Sequence, residues 1–158
     1  MILEPNQKDR AIRNLIWLKG RKFQKYNLLK FRVICAIMDY MAIMNGVRTP
    51  NKQYGLEVFP EQDIDELLTK YDIINLKSKG GRADYNSIIG EMKLIGLIEG
   101  NGGFIRMTQY MVDSYQKQTF HQILASLMAA EDSRTLSLRT LWISVLAVIM
   151  ASVAICLK

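Results

Sequence analysis

Apolar residues are concentrated in two stretches of the chain, and the longer of them lies at its end. Residues 141–157 read LWISVLAVIMASVAICL, seventeen residues without a charge. As a helix rising about 1.5 Å per residue they would extend about 26 Å, near the lower limit for crossing a bilayer. The pattern predicts a C-terminal membrane-spanning helix with the apolar residues Leu141, Trp142, Ile143, Val145, Leu146, Val148, Ile149, Val153, Ile155 and Leu157.

A buried core helix is the alternative for this stretch. Core helices usually keep a polar face, whereas only Ser144 and Ser152 interrupt the apolar surface here. Arg134 and Arg139 precede the stretch and Lys158 follows it, a bias that favours a cytoplasmic position for the preceding residues. No earlier signal for export is visible. We therefore predict a single-pass, tail-anchored membrane protein with a cytoplasmic N-terminal domain.

Small residues share one face of the predicted span. Ser144, Ala147, Ala151 and Ala154 are spaced three or four residues apart. A small-xxx-small pattern allows two membrane helices to approach closely, so this face predicts a homo-oligomer. The alternative is that alanine is simply common in helices.

The second apolar stretch lies within residues 28–44. After Arg32 it reads VICAIMDYMAIM and is apolar nearly all round. Lys30, Arg32 and Asp39 argue against a second membrane span, because each charge at depth in a bilayer costs a few kcal/mol. The stretch therefore predicts a buried core helix, which Asn27 can cap. An earlier amphipathic helix is predicted to end near Leu18.

Shorter elements are predicted for residues 47–130. A loop with a short strand near 56–59 precedes a helix from Pro60 to about 71, and a basic loop follows around Gly80 and Gly81. The next helix runs from 83 or 84 to 94, with Ile88, Ile89, Met92 and Leu94 or Ile95 facing inward. Strands at 97–99 and 104–107 flank a glycine-rich turn, a strong hairpin signal. Thr108 caps a helix to about 130, and residues 131–133 form a break.

Part of this pattern resembles the winged helix-turn-helix superfamily. The resemblance covers about residues 28–112 and is carried by MKLIGLIE at 92–99, the glycine-rich tip at 100–103 and FIRMT at 104–108. It implies that the third helix, about 84–94, would enter a DNA major groove. It also implies that the hairpin, or wing, would touch the backbone or the minor groove.

The charge of this region departs from that of a DNA-binding domain. Residues 60–110 hold six Lys/Arg against eight Asp/Glu, whereas contact with phosphates normally requires a basic face. A protein-interaction module is therefore favoured over a DNA-binding one. Under the DNA alternative, Tyr85, Asn86 and Ser87 would reach base edges, while cations near the start of the helix would hold phosphates.

The N-terminus carries most of the positive charge. Residues 1–32 hold nine Lys/Arg and two acids. Three interpretations remain open: a solvated face, contact with anionic lipid, or a nucleic-acid arm. The candidate polyanion contacts in the whole chain are Lys8, Arg10, Arg13, Arg21, Lys22, Lys25, Lys77, Lys79, Arg82, Lys93 and Arg106.

No pattern typical of an enzyme is present. His121 is the only histidine, and a lone histidine is more often a surface or core-edge residue than a catalytic base. Cys35 and Cys156 suggest neither a disulfide framework nor a metal site. The acids Asp63, Asp65 and Glu66 are best explained as a solvated helix start. No catalytic residue, cofactor or metal is predicted.

The sequence thus predicts a mainly α fold: a winged-helix-like domain with a small β-hairpin, plus a C-terminal transmembrane helix. Its predicted parts are a basic N-terminal helix and link (1–26), the cytoplasmic domain with its following helix (27–132), and a linker with the membrane anchor (133–158). The predicted function is a non-enzymatic, tail-anchored adaptor or regulator that binds an unidentified protein partner at the lipid bilayer. A membrane-tethered DNA-binding transcriptional regulator, and a small membrane-active effector that oligomerises through its tail, are the alternatives.

Overall fold

The computed structural model describes residues 15, 26–45, 58–100 and 103–156, with side chains as far as Met150. The predicted N-terminal helix, apart from Leu15, lies outside the described residues. The chain divides into two compact units, residues 1–125 and 126–158. In order, the elements are α1 (Tyr26–Asn45), β1 (Val58–Pro60), α2 (Glu61–Lys70), α3 (Lys79–Leu94), β2 (Ile98–Glu99), β3 (Phe104–Met107), α4 (Gln109–Gln116) and α5 (Thr119–Cys156). The fold is mainly helical, as predicted.

Helix α1 forms the centre of the first unit. Ile34, Ile37, Met38 and Met41 are fully buried, and α1 packs against α2, α3 and α4. A helix that is apolar nearly all round removes its apolar surface from water only when other elements cover it on several sides. The prediction of a buried core helix is confirmed.

A three-stranded antiparallel sheet closes one side of this core, with strand order β1-β3-β2. Phe59 pairs with Ile105 and Ile98 with Met107, and all four side chains are buried. The predicted hairpin is confirmed, and the predicted short strand lies at Val58–Pro60. Gly100 is required in the hairpin, because a Cβ there would lie 1.9 Å from the carbonyl oxygen of Phe104.

Helix α3 begins at Lys79, four or five residues earlier than predicted. Ser78 caps it by accepting a hydrogen bond from the Gly81 amide at 3.0 Å. A Cβ on Gly81 would lie 2.1 Å from the carbonyl oxygen of Asn75. The prediction of a loop around Gly80 and Gly81 is wrong, because both glycines lie in the first turn of α3. At Gly81, glycine is needed because the first turn packs tightly on the preceding turn.

The end of α3 also differs from the prediction. The Leu97 amide donates to the Met92 carbonyl and the Gly96 amide to that of Lys93, while Gly96 has a φ of +74°. This is a Schellman motif. It turns Leu97 into the core and leaves both residues before Gly96 outside, so the expectation that Leu94 or Ile95 faces inward was wrong.

The last two helices are divided at a different point from the one predicted. Thr108 caps α4 as expected, accepting from the Met111 amide. The chain then breaks at Gln118, which has a φ of +56°, and α5 runs without interruption through residues 131–133. The break predicted at 131–133 was wrong, because a polar sequence is not in itself a helix terminator.

Candidate interaction surface

Three candidate polyanion contacts are paired with acids of the same unit. Arg82 lies 2.6 Å from an Asp65 carboxylate oxygen, and Lys93 lies 3.7 Å from one of Glu61. On the hairpin, Arg106 donates from Nε and Nη2 to Oε2 of Glu99, at 2.9 and 2.5 Å. Exposed pairs of this kind exchange readily with solvent. They nevertheless cancel the positive field that a phosphate backbone would meet.

Tyr85 is not available for contact with a base. Its side chain is buried, and burial together with the neighbouring carboxylate of Asp65 raises the pKa of its hydroxyl. The hydrogen bond and charge of Asp65 also raise the pKa of Arg82. The carboxylate of Asp65 on α2 thus interacts with both Arg82 and Tyr85 on α3. The interpretation of Tyr85 as a base-reading residue was wrong, since Tyr85 lies one turn before Ile88 and Ile89 on the buried face of α3.

Four other polar residues of this region remain on the surface: Lys77, Lys79, Asn86 and Ser87. Two contacts join α1 to this helix. The Ser87 hydroxyl accepts a hydrogen bond from the Tyr26 hydroxyl of α1 at 3.2 Å, and Lys30 of α1 forms an ion pair with Glu91 of α3. The structure therefore places Lys77 and Lys79 beside the start of α3, but leaves this part of the surface only weakly basic.

Large apolar side chains lie on the surface at two places. At the end of α3, Leu94 is 87% exposed and Ile95 is 48% exposed. On the outward face of the sheet, Val58 on β1 pairs with Arg106 on β3, and Phe104 lies two residues before Arg106 on the same strand; both apolar side chains are exposed. A single exposed leucine is ordinary, but Leu94 directly follows Lys93 and Phe104 lies two residues before Arg106, and both of these cations are paired with acids. Leu94 is the candidate that the sequence reasoning missed. The sequence signal for its exposure was Gly96, because a glycine two residues after the last residue of a helix favours a Schellman turn.

A buried polar cluster joins α1 and α5, with Cys35 and Asp39 on α1 and His121 on α5. Asp39 Oδ2 is 3.2 Å from His121 Nε2, with side-chain exposures of 3% and 10%. Burial, and to a lesser extent Asp39, raises the pKa of the Cys35 thiol. His121 is more buried than a surface or core-edge residue. Within the described part of the chain, no three His, Cys, Asp or Glu residues are grouped as metal ligands would be.

Helix α5 is the one helix among the described residues that is long and apolar enough to cross a membrane. Every residue from 132 to 150 is exposed. The hydroxyls of Thr140 and Ser144 donate to the carbonyls of Leu136 and Thr140, both at 3.0 Å. Such bonds satisfy the donors that would be costly in hydrocarbon.

Several predicted residues cannot be placed. Val153, Ile155, Ala151 and Ala154 belong to α5, but their side chains are not described, and Leu157 lies outside the described residues. The N-terminal cations also lie outside the described residues: Lys8, Arg10, Arg13, Arg21, Lys22 and Lys25. Their suggested roles stay predictions.

Comparison of the chain with protein-family models, curated proteins and solved structures finds no match.

Proposed function

We propose that the chain is a non-enzymatic, membrane-anchored adaptor whose first unit is a winged-helix-like domain that binds a protein partner. The order of α1, β1, α2, α3, β2 and β3, with β1 paired to the hairpin, supports the winged-helix-like assignment. The observation that carries the binding proposal is the surface around α3. Arg82 and Lys93 are paired with acids of α2, and Leu94, which directly follows Lys93, is almost fully exposed.

The charge-free part of α5 supports anchoring in a lipid bilayer. From Thr140 to Met150 there is no charged residue, and the hydroxyls of Thr140 and Ser144 are used within the helix. An apolar surface exposed in this way on all sides is unfavourable in water and favourable in hydrocarbon. Self-association through Ser144 and Ala147 adds a second protein contact within the membrane.

Photo-crosslinking from position 94 of the full chain in native membranes tests the binding proposal. We expect one saturable adduct, identified by mass spectrometry. Burying a leucine is worth about 1.5–3 kcal/mol, so Leu94→Ser should weaken binding of that partner by about tenfold to a hundredfold.

Leu136→Ser is the matched control, because Leu136 is also exposed but lies outside the first unit. A partner whose binding is reduced equally by Leu94→Ser and Leu136→Ser, or crosslinking that does not saturate, would contradict a docking role for Leu94.

DNA binding by a membrane-tethered regulator is the second candidate, favoured by the exposed Lys77 and Lys79 at the start of α3. Gel-shift titration of the detergent-solubilised full chain at low and moderate salt distinguishes it. Under the adaptor proposal we expect weak binding that does not depend on sequence. Under the DNA proposal, Lys77→Ala/Lys79→Ala should reduce the slope of log affinity against log salt by about 2.

A further inference from the structure

Arg139 is the last charged side chain of α5 before its charge-free stretch, and it is exposed. Trp142 follows one turn later and is 66% exposed. Helix α5 passes through both positions without a break, so the two side chains lie on one side of the helix, about 4.5 Å apart along its axis. An arginine and a tryptophan therefore lie together where the apolar surface of α5 begins.

The positive charge of Arg139 is not compensated by its own helix. Side chains three or four residues apart are the ones that meet on a helix surface. For Arg139 these are Thr135, Leu136, Trp142 and Ile143, and none of these four described residues is acidic. Because an arginine keeps its charge at any ordinary pH, this guanidinium can take an anion that is not part of α5.

Arg134 is the other arginine of α5, and it differs from Arg139 in two ways. Glu131 lies one turn before it, a spacing at which opposite charges attract. Arg134 also lies well before Leu141, by about 10 Å along the axis, whereas Arg139 precedes Leu141 by about 3 Å. A headgroup layer is roughly 5–8 Å thick, so a bilayer that begins at Leu141 places Arg139, but not Arg134, among the headgroups.

Phospholipid headgroups supply an anion that suits this position. A planar guanidinium can donate two parallel hydrogen bonds to the oxygens of one phosphate. The indole of a tryptophan prefers the same depth, with its ring against the acyl chains and its N–H among the headgroups. A headgroup with a net negative charge attracts a cation more strongly than zwitterionic phosphatidylcholine does. Arg139 and Trp142 together therefore fit an anionic phospholipid.

We propose that Arg139 and Trp142 bind the headgroup of an anionic phospholipid where α5 enters the bilayer. The inference rests on the membrane anchoring proposed above and names the lipid class that the anchor prefers. The Arg139 guanidinium holds the phosphate, and the Trp142 ring packs against the first carbons of the acyl chains. This contact also fixes the depth of α5, because Arg139 cannot move further into hydrocarbon without losing it.

Quenching of tryptophan fluorescence by brominated lipids tests this proposal on the full chain. Trp17→Phe leaves Trp142 as the only tryptophan, and bromine quenches an indole only at close approach. The chain is reconstituted in phosphatidylcholine vesicles that contain either brominated phosphatidylglycerol or brominated phosphatidylcholine. One cation at an anionic surface corresponds to about fivefold in affinity, so we expect phosphatidylglycerol to bind beside Trp142 about threefold to tenfold more tightly. Equal binding of the two lipids would overturn the proposal.

Two variants in the Trp17→Phe background locate the effect. Arg139→Gln should remove the preference for phosphatidylglycerol, so that both lipids bind alike. Arg134→Gln is the matched control, because it removes the same charge from an earlier turn of the same helix, and it should keep the preference. Equal losses in the two variants would mean that the general positive charge of the helix attracts the lipid, and the proposal would fail.

The depth of Trp142 gives a measurement that needs no change at Arg139. Bromines near the headgroup end of the acyl chains should quench Trp142 more than bromines near the chain ends. The opposite order would place Trp142 deep in hydrocarbon and would overturn the proposal. If no brominated lipid quenches Trp142 and the chain is lost on carbonate extraction, the membrane anchor fails as well, whereas quenching without a lipid preference removes only the headgroup contact.

Discussion

Helix α1 and the last part of α5 have nearly the same composition but opposite surroundings. From Val33 to Ile43, α1 is apolar apart from Asp39 and Tyr40, and it is almost entirely buried. From Leu141 to Met150, α5 is equally apolar, and each of its residues is exposed. Hydrophobicity alone therefore does not distinguish a core helix from a membrane helix.

Polar groups make the difference between the two helices. Helix α1 retains Arg32 and Asp39 in the core, where a partner on another element can reach them, as His121 reaches Asp39. The last part of α5 retains only hydroxyls, and these bond to its own backbone. A charge in a core can be compensated by neighbouring elements, whereas a lone helix in lipid has to satisfy its polar groups by itself.

The largest effect should come from placing charge in the exposed apolar helix. Val145→Arg/Ile149→Arg adds two arginines near the middle of the predicted span, at a cost of about 5–7 kcal/mol for insertion. We expect the full chain to move from the carbonate-resistant membrane fraction to the soluble or aggregated fraction. Val145→Ala/Ile149→Ala is the matched control and should remain in the membrane. Retention of the arginine variant would refute the membrane assignment.

The next effect compares one residue type in both helices. Ile37 is fully buried in α1, so Ile37→Ala should lower the free energy of unfolding of the first unit by about 2–5 kcal/mol. Ile149→Ala removes the same atoms from an exposed position and should leave that stability unchanged. Denaturant unfolding in mild detergent, followed by tyrosine and tryptophan fluorescence, measures both. Equal losses would mean that Ile149 is also packed in a core.

A smaller effect separates two glycines within α3. A Cβ at Gly81 would collide with the carbonyl oxygen of Asn75, whereas one at Gly90 would meet open space. Gly81→Ala should therefore destabilise the first unit by about 1–3 kcal/mol. Gly90→Ala should stabilise it by about 0.5–1 kcal/mol, since alanine is the better helix former. Thermal unfolding of both variants, with opposite shifts in Tm expected, provides the check.

These glycines also illustrate how far the sequence could be interpreted. Local sequence pattern was enough for α1 and for the apolar stretch of α5, because each is a continuous apolar run, and for the hairpin, because it has a glycine-rich turn. It failed at the start of α3, since Gly81 serves a contact with Asn75 that only the folded chain reveals. Gln118 carries no local signal for its positive φ, so the division between α4 and α5 was also missed. The pairing of Arg82 and Lys93 depends on the packing of α2 against α3, which charge counting cannot show.

The smallest effect concerns Ser144, and it separates insertion from self-association. Its hydroxyl donates to the Thr140 carbonyl at 3.0 Å, so Ser144→Ala removes a group that is already satisfied and should change membrane retention by less than about 0.5 kcal/mol. Ala147→Ile adds bulk on the same face. If that face mediates self-association, Ala147→Ile should greatly reduce the crosslinked dimer in membranes, while Ser144→Ala should preserve it. If instead Ser144→Ala alone removes the dimer, its hydroxyl must form a bond between helices, and the exposed face of α5 would be joined by a polar contact rather than by close packing.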